Sequence, residues 1–159
     1  MSMQLPASLT PVCLFLGPPF PDGDEDVLDQ MGCAYDQHGA RMREHLAAAK
    51  SEVDRVVVTS EGDGVTAMHE HFTRPDGPHG NLGDASTGSQ VVGLALKISG
   101  GIVLAHKGVT ILQYGLTAAA LAQSLAAGGL GAALAPAIRQ AALRGLDQAT
   151  LIATSSVMS

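Results

Sequence analysis

The sequence predicts an all-α protein, a long helical hairpin followed by apolar Ala/Gly-rich helices that form a bundle. Three observations carry this. Apolar residues recur at spacings of three, four and seven over long stretches. Aromatic residues make up only 3% of the chain and Trp is absent, so the apolar mass is Ala, Leu and Val, which suit thin, closely packed helices. Glycine and proline gather in a few clusters that separate the periodic stretches. The 159 residues suit one domain, expected over 24–155 behind an irregular N-terminal arm at 1–23.

That arm is read from its prolines. Pro6, Pro11 and Pro18 interrupt any apolar run, which also argues against a cleavable signal peptide. Export would then use a signal-peptide-independent route, the alternative being residence in the cytoplasm. In GPPFPDGDED, residues 17–26, the carboxylates of Asp22, Asp24, Glu25 and Asp26 sit where a helix begins. There they can accept from unpaired N–H groups at the positive end of the dipole. A calcium loop fails on spacing, since Val27 stands where it needs glycine and Cys33 where it needs a bidentate Glu.

The first long helix is expected from Asp24 to Val58. Its stripe comprises Leu28, Met31, Tyr35, Met42, Leu46, Ala49, Val53 and Val56, while Arg41, Arg43, Glu44 and Lys50 form a solvated face. A turn near Ser60 to Gly64 leads to a short helix to about Arg74, with Val65, Met68 and Phe72 inward. RPDGPHG then reads as a loop, with Asp84 or Ser86 as the cap of a third helix whose apolar face holds Val91, Leu94, Leu96 and Ile98. From Gly108 to Ile138 no residue is charged, a length beyond the ~20 residues that span a bilayer. Gly128, Gly129, Gly131 and Pro136 interrupt its second half, which favours a central helix covered by its neighbours over a membrane span. A weaker amphipathic segment closes the chain from Ile138 to Ile152.

The order of these pieces resembles the WXG-like N-terminal domain of actinobacterial polymorphic toxins of the type VII secretion class. That group is related to the channel-forming N-terminal part of the mycobacterial necrotizing-toxin precursor. The resemblance rests on Leu5-Pro6, the acidic run from Gly17 to Asp26, the long helix with Tyr35, Gly62 and Gly64 at the turn, and PDGPHGNLGDASTGSQVVG from Pro75 to Gly93. It covers about residues 4–145. Ser60-Glu61-Gly62 stands where the family has Trp-x-Gly, and Gly39 takes the acidic place of a Tyr-x-x-x-acid export signal at Tyr35. The resemblance implies a helical targeting or partner-binding module that meets type VII secretion machinery.

No catalytic chemistry is signalled. His69 and His71 are two apart, roughly 200° around a helix, so they cannot share a zinc ion as a zinc-protease pair does. His106 beside Lys107 reads as a helix-surface pair. Nucleophile elbows and phosphate loops are absent from the sequence. Cys13 and Cys33 have no metal spacing and read as small buried thiols, or as a disulfide in an exported protein. The net charge of −6 disfavours nucleic acid. The expectation is therefore a non-enzymatic interaction module without metal or cofactor, acting by homo-oligomerisation or with a helical partner. The interaction residues would be Leu28, Met31, Tyr35, Met42, Leu46, Val53 and Val56, together with Ala118, Ala119, Ala122 and Leu125 in a small-residue surface. The alternative is membrane association, by insertion of the segment from Val109 to Ala135.

Overall fold

The computed structural model describes residues 2–126 and 129–158. The fold is all-α: helix accounts for 87% of it and no strand occurs among the described residues. A short 3-10 turn, Ala7–Leu9, leads into α1, Thr10–Leu16. There follow α2, Glu25–Thr59; α3, Asp63–Thr73; α4, Pro78–Ala126; and α5, Gly129–Met158. The chain forms two compact units: a central one of Asp29–Lys97, and a terminal one of Met1–Leu28 with Ile98–Ser159.

In the central unit, α2 and α4 run antiparallel and approach closely at residues without bulk. A Cβ on Gly32 would lie 2.7 Å from the Gly93 carbonyl oxygen, and one on Gly39 would lie 2.9 Å from that of Ser86. Ser86 Oγ donates to the Gly39 carbonyl at 2.8 Å, so its buried hydroxyl is satisfied. Lys97 Nζ lies 2.5 Å from Asp36 Oδ2 and spans the same pair of helices. The expected stripe on α2 is thus only part of its inner face. Leu28, Met42, Leu46, Val53 and Val56 are half-buried, Met31 and Tyr35 are exposed, and Gly32 and Gly39 are buried.

The turn at 60–62 stands where the sequence places it, with Gly62 at φ +123°, a conformation that side chains with a Cβ rarely adopt. The third expected helix, however, starts at Pro78, six residues before Asp84, the earlier of its two expected caps. Proline at a helix start loses nothing by lacking an N–H. Gly77 and Gly80 let the backbone fold tightly here, since a Cβ would lie 2.3 Å from the His71 carbonyl in one case and 2.1 Å from that of Pro75 in the other.

The terminal unit is built around Val12, Leu16, Tyr114, Ala142 and Leu146. Residues 1–23 are therefore not irregular throughout. Pro11 falls in the first turn of α1, where helices accept it, and Gly17 ends the helix at φ +97°. Arg139 caps that end, donating from Nε to the Phe15 carbonyl and from Nη2 to that of Leu16, each at 3.1 Å. Val12 and Leu16, one turn apart, seal α1 onto the core. Asp24 Oδ1 accepts from the amides of Asp26 at 3.1 Å and Val27 at 3.2 Å, the carboxylate cap expected at the start of α2.

Two further differences concern the apolar stretch. Pro136 does not end a helix; it lies inside α5, where flanking alanines of high helical propensity carry the helix past one missing hydrogen bond. Gly128, one of the expected interruptions, lies outside the described residues.

Candidate interaction surface

The inner side of α4 is small and polar, and its outer side is large and apolar. Ser86, Gly93, Gly100, Lys107 and Tyr114 are buried at intervals of seven, as are Thr110, Thr117 and Ser124, with Ser89 buried three such intervals before Thr110. Their hydroxyls are satisfied locally in the terminal unit: Thr110 donates to the His106 carbonyl at 2.9 Å, Thr117 to that of Gln113 at 2.8 Å and Ser124 to that of Leu121 at 2.8 Å. Most of the larger aliphatic residues face away, while Leu96, Ile102, Val103, Ile111 and Leu121 are half-buried. Leu112 is 63% exposed, Leu116 59% and Leu125 74%, and Val91, Leu94, Ile98 and Val109 are exposed with them.

This reverses two expectations. The apolar face read as Val91, Leu94, Leu96 and Ile98 is mostly the outer face; of the four only Leu96 is half-buried. The stretch after Gly108 is covered by its neighbours on one side only along α4. Periodicity shows that an apolar stripe exists, and here Gly and Ser on the opposite side let the neighbouring backbone come closer than leucines would permit. Of the expected small-residue surface, Ala118 is half-buried, whereas Ala119, Ala122 and Leu125 are exposed. The sequence signal for the buried side was the seven-residue spacing of Gly32 with Gly39 and of Ser86 with Gly93.

Lys107 corrects a third expectation. It is only 2% exposed and pairs with Glu25 Oε2 at 2.7 Å, while its Nζ also donates to Ser2 Oγ at 3.0 Å. The Met3 amide donates to the other Glu25 oxygen. The hydrogen bond from Lys107 and then that from Met3 pull the Glu25 carboxyl down to about 2. His106 is half-buried, its Nε2 lying 3.3 Å from Thr150 Oγ1. The Tyr114 hydroxyl donates to the Pro18 carbonyl at 3.2 Å, and burial, with Cys13 nearby, pushes its pKa up to about 12.

His71 is exposed, but His69 is half-buried and its Nδ1 has no partner among the described residues. His79 meets the Phe72 ring edge to face at 5.7 Å. No group of three His, Cys, Asp or Glu able to share a metal occurs among the described residues. The thiols of Cys13 and Cys33 are free and half-buried.

In the terminal unit the bare face borders a groove of about 340 Å³ between α4 and α5, walled by Ile102, Ala105, Val109, Ala149 and Ile152. Among the described residues, Asp63–Ala126 holds a segment long and apolar enough to cross a membrane, with 11% of its apolar window buried. Comparison with protein-family models, with curated proteins and with solved structures finds no match to this chain.

Proposed function

We propose that the chain is a non-enzymatic helical interaction module whose working surface is the outer face of α4. The inverted helix carries this reading. A row of exposed leucines, valines and isoleucines without a formal charge is costly in water, at roughly 25 cal/mol per Å² of apolar area left uncovered. The same helix keeps serines, threonines and a lysine inside. A sequence needing only to fold in isolation would have the opposite arrangement. The resemblance to the WXG-like domain fits, since such a domain works by presenting helix faces to partners. It extends the proposal to a targeting or partner module of type VII secretion.

Charge placed on this face tests the reading. Leu112→Lys should leave the helical circular dichroism unchanged, because Leu112 is exposed, and should abolish association seen by sedimentation velocity at micromolar concentration. Unchanged association in that variant would refute the proposal. Flotation of the wild-type chain with lipid vesicles, stable to alkaline carbonate, would replace the protein partner by a bilayer.

A further inference from the structure

We propose that the partner of this face is a second copy of the chain, its α4 antiparallel to the first and related by a two-fold axis at Gly108 and Val109. The inference rests on the reading of this face as a protein-docking surface and names its occupant.

Residue sizes along the face select that partner. In the terminal unit Ile98, Ala105, Leu112 and Ala119 are all exposed and recur at sevens. Antiparallel about a point between residues 108 and 109, Ile98 meets the partner's Ala119, and Ala105 meets the partner's Leu112. Every layer sets a large side chain against a small one, the interdigitation that fills a helix seam without voids. Parallel pairing would stack Ile98 and Leu112 on themselves and leave Ala105 and Ala119 facing gaps.

The flanks agree with the same axis. In an antiparallel pair each flank meets its own kind. On one side Gly101 would face the partner's Gly115, and Gly108 would face the partner's Gly108. A Cβ at any of these three positions would find nothing within 4 Å, so this edge is open to a close backbone. On the other side Ile102 would face the partner's Leu116, and Val109 the partner's Val109, beside the α4–α5 groove.

Charge and length fit as well. Between 98 and 126 the only formal charge is Lys107, buried against Glu25, so copies with a net charge of −6 meet on neutral surface. These 29 residues span about 43 Å, and at a helix width of about 10 Å each copy offers on the order of 500 Å² of projected face. The groove rim widens this toward the ~800 Å² per partner of stable interfaces. Four heptads are also enough for a sustained helical seam.

Site-directed cross-linking of the full chain, with Cys13 and Cys33 changed to Ser, tests the geometry. Val109→Cys should give a covalent dimer under mild oxidation. Ala119→Cys alone should stay uncross-linked, yet should join Ile98→Cys when the two proteins are mixed. Circular dichroism of each variant checks that the helices are intact. Cross-linking of Ala119→Cys to itself as readily as Val109→Cys would mean a parallel pair and overturn the inference. So would a wild-type chain that sediments as a monomer, whether or not it floats with vesicles. If Leu112→Lys abolishes association but Val109→Cys fails to cross-link, this pairing falls while the docking surface stands. If Leu112→Lys has no effect on association, the underlying reading falls with it.

Discussion

Single residues decide which side of each helix is covered. Gly32 is buried because the Gly93 carbonyl lies where its Cβ would be, whereas Gly88 has nothing within 4 Å of that point. Gly32→Val should therefore force the helices apart and cost about 1–3 kcal/mol in urea unfolding. Gly88→Ala should instead gain up to about 1 kcal/mol, because alanine is the better helix former. Glu25 supplies a pH signature. Its carboxyl is held at about 2, below the ordinary 4.5, so the folded state binds its proton less readily than the unfolded state does. The stability it contributes is fully present above about 4.5 and is lost as pH falls toward 2. Between those values the wild-type melting temperature should fall more steeply than that of Glu25→Gln. Parallel curves would remove Glu25 from the account. The sequence shows Glu25 as one carboxylate in an acidic run, and its pairing with a lysine 82 positions away is a tertiary fact.

At the scale of elements, much was legible. The long first helix, the turn after it and the short second helix stand within a residue or two of where periodicity and glycine place them. Proline misled at three positions, because its meaning depends on where in a helix it falls. Pro11 and Pro78 open helices, and Pro136 is tolerated within one. The orientation of α4 was not legible from hydrophobicity, since close packing through Gly and Ser outweighs burial of the larger side chains. α1 depends on contacts far along the chain. Arg139→Ala would leave the Phe15 and Leu16 carbonyls without their caps. It should make residues 7–16 the first segment cut in limited proteolysis, with α2 unaffected. Equal resistance of that segment in variant and wild type would mean that Val12 and Leu16 hold α1 without the cap.

At the largest scale, the terminal unit combines a small core with a long bare face on its part of α4. Among the described residues the buried apolar cluster consists of Val12, Leu16, Tyr114, Ala142 and Leu146, a modest anchor for a chain of this size. The leucines that would enlarge it point outward along α4, as expected of a chain whose folding is completed by association. The candidate site was half legible: its segment stood out as the charge-free stretch, but its exposed face did not. The most direct test is the accessibility of the Leu112 and Leu116 methyl groups to a soluble paramagnetic probe, followed by NMR as protein concentration rises. Exposed Leu151 on α5 serves as the reference. The account predicts that Leu112 and Leu116 lose probe access across the micromolar range while Leu151 keeps it. Methyls at 112 and 116 that stay as accessible as that of Leu151 at every concentration would contradict it.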